Sequence, residues 1–490
     1  MPQQMEPKQV RNLGIYGVIR PAEVDDTLVP DGAVTEAQNF HFDRKGNSTV
    51  RLGIAGLGST VLSARPCFGL HGAQAGTAIA VFSNGSSATI YSFSAGAWAV
   101  SLDGGTASVA ARFIDFGSYT IAINFIYNTY TSMRFWNAGT SRHWHNTGNP
   151  INPQNMWGRA CNLGEVYKAR AYLGGDTSAE GNGSRLYNSS VISSAGVITW
   201  APTTDFVDIN PGDGENMTGL KRFSLELCVF KPNYIYRFKT TGIDPDPLIK
   251  IGTRSNESIV EGKKGLYFHH DTGFYRYSGG YPLEISRPIS DFIEAIPFSK
   301  YTTISAWNDS DHIYWSIGNI PIAETNETVT WKNVVLRFTE SSELWTIYSY
   351  PTEIRRGMTY NSGSNLTRIV GTENGLVGTL NSGNTDFGEP IKYRLRTKWY
   401  EWEGIASVKN IQRMLGICEK AQAAELMYMT DDDISWKSIG QLKKFLTYFE
   451  NTDIRFHRIR FQVTGVSKNE PMIFKGLEIL EGINEGLVLE

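Results

Sequence analysis

The feature that most constrains this chain is a recurrence. Short runs of alternating apolar and polar residues, each ended by a glycine- or serine-rich turn, follow one another from Pro66 almost to the end. Alternation with a period of two puts successive side chains on opposite faces of a strand, and turns this frequent leave no room for long helices. Residues 69–73, 77–82, 88–93 and 97–102 are four such runs, separated by Gln74-Ala75-Gly76, 83–87 and 94–96. Four short strands joined by tight turns within about 40–45 residues is the texture of one propeller blade.

The texture returns. Residues 109–113, 119–125, 132–136 and 143–145 make a second unit; 167–173, 186–189 and 198–200 make a third, padded by the polar insertion 174–184. A fourth spans 219–223, 226–230, 234–240 and 248–251, and a fifth 265–269, 273–277 and 283–285, ending on a helical turn at 288–295. Residues 302–307, 311–317, 333–339 and 343–348 form a sixth, and 357–360, 366–370 and 375–380 a seventh. The units share alternation and spacing without a repeated Trp-Asp dipeptide or kelch-type glycine pair, so a string of β-sandwiches is the rival reading.

The flanks differ. Residues 1–65 read as an N-terminal docking segment, with strands at 37–42 and 49–52 folded into a hairpin about Arg44-Lys45-Gly46-Asn47. Pro390 opens a region of longer strands at 391–402, 409–418, 424–430, 454–464 and 471–480. The expected architecture is therefore all-β: an irregular six- or seven-bladed β-propeller over 66–389, then a C-terminal β-sandwich-like domain over 390–490.

Composition narrows the functional classes. With 41% hydrophobic residues, 12% aromatic and 49 glycines, the chain has a core to bury and a bias toward strands and turns. A net charge of −3 lacks the basic excess of a sequence-reading nucleic-acid binder, though it leaves weak, gliding contact with DNA open. Cys67, Cys161, Cys228 and Cys418 are far apart in sequence, which fits buried, reduced thiols better than a zinc site or a disulfide framework. Residues 1–10 are polar and no run approaches a membrane span, so neither an export signal nor a membrane segment is expected.

Motifs that carry chemistry are sparse. His143-Trp144-His145 puts two imidazoles on one strand face but has no third ligand at a defined spacing; an aromatic strand end accounts for it. His269-His270-Asp271 alternates faces and runs into a turn. The run Asp431-Asp432-Asp433 reads as a hairpin loop and is a candidate calcium loop; its surroundings, Met429 to Trp436, partly resemble the Asp-box turn of sialidase propellers. A Gly-x-Ser-x-Gly elbow and a phosphate loop are both missing, and Gly262-Lys263-Lys264-Gly265 lacks the spacing and hydroxyl of the latter. No catalytic residue, cofactor or metal is assigned.

Two basic clusters are the candidate interaction residues. Lys392, Arg394, Arg396 and Lys398 alternate along one strand and share a face, and Arg455, Arg458 and Arg460, with His457, crowd another. Solvated faces or intersubunit salt bridges explain such rows, as does a basic surface meeting an acidic partner or DNA phosphates.

The order of parts resembles the tail-hub or nozzle proteins of short-tailed bacteriophages, also called packaged-DNA stabilisation proteins. The resemblance lies in residues 39–53 (NFHFDRKGNSTVRLG), in the irregular blades including Gly219-Leu220-Lys221-Arg222-Phe223 and Tyr234-Ile235-Tyr236-Arg237-Phe238, and in the closing "TDDDISW" turn with the strand 455–462. It is diffuse and spans most of the chain. It implies a structural virion protein rather than an enzyme: a homohexameric ring below the portal and adaptor rings, assembled in the host cytoplasm. That ring would enclose the double-stranded DNA channel, with tail fibres or spikes and a needle or plug as neighbours. A receptor- or carbohydrate-binding propeller is the alternative. In a DNA channel, weak or negative charge would keep the passage slippery, and the acidic stretches 205–215 and 340–343 are candidates for lumen or neighbour contact.

Overall fold

A computed structural model describes residues 3–486 except 21–24, 44–45, 59–61, 63, 74–76, 95, 106–110, 126–132, 138–143, 146–150, 157, 180, 240–241, 244–249, 324–327, 363–364, 403 and 422. The fold is all-β. Among the described residues the single α-helix is Ser290–Glu294, inside the helical turn expected at 288–295, and no helix is long and apolar enough to cross a membrane.

Among the described residues, seven four-stranded antiparallel blades follow in order. Five are contiguous sheets beginning with Cys67–Ala73, Arg112–Phe116, Cys161–Tyr167, Gly219–Phe223 and Val260–Glu261. The sixth runs Ser305–Asp309, His312–Ala323, Thr328–Thr339 and Leu344–Ser349. The seventh has Ile354–Ser362, Asn365–Thr372 and Val377–Leu380 from its own stretch, and takes its outer strand, Ile54–Gly56, from before the first blade. Blade faces are apolar on both sides, as in Thr77–Ser83, where only the first residue is not buried. Each face packs on the next blade: Ala78, Ala80 and Phe82 meet Met358, Tyr360 and Ile369 of the seventh, while Ile79, Val81 and Ile90 meet Ala122, Trp136 and Trp144 of the second. Further clusters fill the remaining interfaces, so the ring closes.

Several strand limits differ from the pattern-based expectation. The run 167–173 is not one strand but the end of Cys161–Tyr167 and the start of Arg170–Asp176. Lys168 and Ala169 make the hairpin turn with φ of 45° and 59°, a left-handed pair carrying no glycine or asparagine signal. The outer strand of the third blade is Phe206–Asp208, with Trp200 in an isolated bridge to Ser189. In the fourth it is Gly242–Ile243; of the expected run 248–251, residues 248–249 lie outside the described residues and Lys250 and Ile251 are not in a strand.

The last domain is a two-sheet sandwich that draws on both ends of the chain. One sheet orders Lys437–Leu442, Ala424–Thr430, Ile459–Ser467, Glu389–Thr397 and Val34–Gln38. The other orders Phe445–Phe456, Val408–Cys418, Ile473–Gly486, Ser48–Val50 and Phe40–Phe42, with Gln3–Gln4 and Lys8–Arg11 also on Ile473–Gly486. The hairpin expected near 37–52 is present, in register Phe40↔Val50, but Asn39 at φ 63° breaks the preceding run and sends the chain from one sheet to the other. Residues 454–464 are likewise two strands. Asp431 Oδ1 accepts the N–H groups of His457 and Arg458 at 3.1 and 2.9 Å, and the chain crosses between the sheets there.

Sandwich and propeller share hydrogen-bonded sheet. Val34–Gln38 pairs with Glu389–Thr397 on one side and touches Leu344–Ser349 of the sixth blade in parallel on the other, at Gln38↔Ile347. Thr385–Asp386 pairs with both Glu389–Thr397 and the closing strand Ile54–Gly56. Arg51 fills this junction, 2% exposed. It holds Asp386 through two hydrogen bonds of 2.8 and 2.6 Å, bonds Asn39 Oδ1 and the carbonyls of Leu52 and Ser349, and stacks on Tyr350. Gly53 follows because a Cβ there would sit 2.0 Å from the Thr385 carbonyl oxygen.

Candidate functional site: the propeller channel

Seven inner segments, one per blade, surround the axis. Their spacing demands small residues: a Cβ on Gly69 would meet the Ala111 carbonyl oxygen at 2.6 Å, and one on Gly357 the Trp307 ring at 2.3 Å. Cavities of about 460 and 370 Å³ lie along the axis, and both are lined by Arg112, Asn256, Glu257 and Arg356. In six of the seven inner segments the smaller cavity takes the earlier residues and the larger cavity the later ones, so these segments run in the same sense and the shared residues form a belt across one channel.

The belt is ionic. Arg112 is bidentate to Glu257, with Nε to Oε1 at 2.6 Å and Nη2 to Oε2 at 3.0 Å, and its third nitrogen bonds the Asn162 carbonyl oxygen. Glu257 sits in the 3-10 turn Asn256–Ser258 that precedes the fifth blade. Burial pushes its carboxyl up, but Arg112 and Arg356 more than offset this and hold it at about 2. Arg356 bonds the carbonyls of Phe68 at 3.1 Å and Arg355 at 2.7 Å.

The larger cavity carries two more pairs. His71 Nε2 meets Asp115 Oδ1 at 3.0 Å, with Thr120 Oγ1 donating to the same oxygen at 2.6 Å; Lys221 faces Glu165 at 3.6 Å. Burial raises the Asp115 carboxyl, and the His71 and Thr120 hydrogen bonds bring it below the usual range. Both channel carboxylates with shifted acidity, Asp115 and Glu257, are thus lowered, the reverse of what a general acid requires. The nearest thiol, Cys67, is pushed by burial to about 12 and is no nucleophile at neutral pH. This arrangement can hold charge and bind.

The basic residues singled out in sequence lie elsewhere, and most are engaged within the chain. Arg394 and Arg396 both grip the buried Glu36 on the neighbouring strand, Arg396 also donates to Gln462, and Lys398 bonds Asp31 and the Val29 carbonyl. Arg460 stacks between Trp399 and Trp436, Arg396 shares Trp436, and Arg458 covers Trp399. Arg455 is on the other sheet and pairs with Glu485, while Lys392 is exposed. The rows therefore form one knot of four arginines around Glu36 and two tryptophans plus three outlying charges, not a continuous basic face.

Other candidates resolve similarly. Asp433 caps its own turn through the N–H and hydroxyl of Thr430 and pairs with Lys437, while Asp431 holds the inter-sheet crossover. No three His, Cys, Asp or Glu converge as a metal site among the described residues. His143 is outside the described residues; Trp144 is buried and donates to Ser101. His269 is 1% exposed, and burial drives its imidazole down to about 3. Of the acidic stretches, Glu340 is buried and accepts the N–H groups of Lys263 and Lys264, Asp208 pairs with Arg185, and Asp213 with Lys231. All four cysteines are free and buried.

Sequence inspection missed the channel belt. The available signal was a charged residue in or beside an inner segment at Arg112, Glu257 and Arg356, where neighbouring blades place small or apolar side chains.

No family model matches this chain, and no curated protein sequence does. Among solved structures it is similar to virginiamycin B lyase from Staphylococcus aureus, at 12% identity and a TM-score of 0.41, over 66% of this chain and 97% of that one. It is also similar to the extracellular domain of the hybrid two component system BT4673 from B. thetaiotaomicron, at 9% identity and a TM-score of 0.41, over 67% of this chain and 39% of that one. The computationally designed Ika8 protein aligns with 66% of this chain and 99% of its own, at 10% identity and a TM-score of 0.34.

Proposed function

We propose that this chain is a structural virion protein, a bacteriophage tail nozzle or hub subunit that assembles into a homohexameric ring around the DNA channel, retains the packaged genome and permits its ejection. The observation that carries the reading is the weld between the domains. Residues 39–53, the stretch whose resemblance to tail-hub proteins is most local, supply the strand hairpin, the buried Arg51–Asp386 pair and the close-packed Gly53 that bind sandwich to propeller. A part that holds back DNA under pressure must pass force between its domains without a hinge, and continuous sheet with a buried ion pair does this. Unequal blades support the same role. The sixth has paired strands of 12 residues each where the fifth begins and ends with two-residue strands, so the rim presents a different profile to each neighbour.

Native mass spectrometry tests the reading, on the chain alone and with a purified portal–adaptor complex. Ring-sized assemblies, alone or only on the portal–adaptor complex, are expected. A chain that stays monomeric in both mixtures sinks the proposal. A receptor- or carbohydrate-binding propeller is the second reading, favoured by the polar channel mouth around His71, Asp115 and Glu165.

A further inference from the structure

The smaller end of the channel has an imbalance of charge. Its lining holds four guanidinium groups, Arg112, Arg254, Arg355 and Arg356, and one carboxylate, Glu257, alongside the hydroxyls of Thr218, Thr302 and Thr303. Three of the arginines are compensated: Arg112 by Glu257, Arg254 by Asp271 at 2.7 Å, and Arg355 by Glu353 at 3.1 Å and by Glu373. Arg356 has no ion pair among the described residues. Its hydrogen bonds engage Nε and Nη1 and leave Nη2 uncommitted, in a residue that lines both cavities. Burial pulls its guanidinium below the ordinary arginine value, with Glu257 offsetting only part of that. A poorly solvated cation that must share one carboxylate with a second arginine is under-compensated, and a planar fork with a free edge matches an oxyanion.

We propose that the 370 Å³ cavity is a binding site for a small oxyanion, a phosphate or carboxylate group, anchored by Arg356 and steered in by the surrounding arginines. The volume admits a solute of a few heavy-atom groups and not a polymer strand. The proposal does not depend on tail assembly, because the site lies within one chain.

Isothermal titration calorimetry of the full chain, with sodium phosphate and separately with citrate, tests it against sodium chloride at matched ionic strength. Saturable one-site binding is expected for at least one of the two anions and none for chloride. Phosphate alone assigns the phosphate class, citrate alone the carboxylate class, and both together a site that reads charge. Arg356→Met is expected to weaken binding roughly tenfold or more, the loss of one charge-assisted hydrogen bond, with Arg356→Lys intermediate. Because Arg356 also bonds the Phe68 carbonyl, Arg356→Met is checked by circular dichroism. Should it not fold, Thr302→Glu decides: it sets a carboxylate at an exposed position of the same lining and is expected to weaken binding by a similar factor. Absence of saturable binding by either anion overturns the proposal. So does unchanged affinity in a folded Arg356→Met, or, failing that variant, in Thr302→Glu.

Discussion

At the residue scale, the most consequential side chain is one that sequence inspection treated only as part of a hairpin. Arg51 is 2% exposed and all its guanidinium nitrogens have acceptors, so its charge is tolerable only while Asp386 is opposite. Asp386→Ala leaves a buried cation unpaired and is expected to cost about 3–5 kcal/mol, read as a lowered urea midpoint at unchanged slope. The double variant Arg51→Met/Asp386→Leu removes both charges and is expected to recover most of that loss. A double variant no more stable than Asp386→Ala would show that hydrogen bonds to Asn39 and Ser349, rather than charge pairing, hold the junction.

At the scale of elements, the strand Ile54–Gly56 decides whether the propeller closes. It is three residues long, yet it covers the edge of Val377–Leu380 and contacts Thr385–Asp386 on its other side. Removing residues 1–58 uncovers that edge and also takes Val34–Gln38, Phe40–Phe42 and Ser48–Val50 from the sandwich. The truncated chain is expected to be insoluble, since an unpaired apolar edge pairs with other chains. Removing only residues 1–11 deletes Gln3–Gln4 and Lys8–Arg11 with the buried Met5 and Val10, and is expected to give a soluble protein with a lower Tm. Solubility on expression and a circular dichroism melt distinguish the two. A soluble, cooperatively melting 59–490 fragment would show that closure does not need the strand.

At the scale of the whole molecule, one hydrophobic cluster runs from Ile391, Tyr393 and Phe461 of the sandwich to Tyr267, Trp315 and Trp345 of the fifth and sixth blades, and shared sheet runs alongside it. Propeller and sandwich are therefore expected to unfold together, as a single calorimetric peak. Two resolved peaks would mean that the domains are coupled more weakly than the shared sheet implies.

Alternation and turn residues by themselves determined an all-β chain, a succession of six or seven blade-like units, the helical turn near Ser290 and the hairpin pairing Phe40 with Val50, because each is set by neighbours along the chain. The turn at Lys168-Ala169 escaped notice because its left-handed backbone is imposed by the blade and not by a glycine. The break at His457-Arg458 escaped it because the carboxylate that makes it, Asp431, is 26 residues away. Only the tertiary structure decided that Ile54–Gly56 completes the last blade, that Arg394 and Arg396 turn inward to Glu36, and that Arg112, Glu257 and Arg356 meet on the axis. The reason is physical. A period-two pattern states which residues share a face. What that face meets is settled only when seven blades close into a ring and the chain's first strands come back to its last.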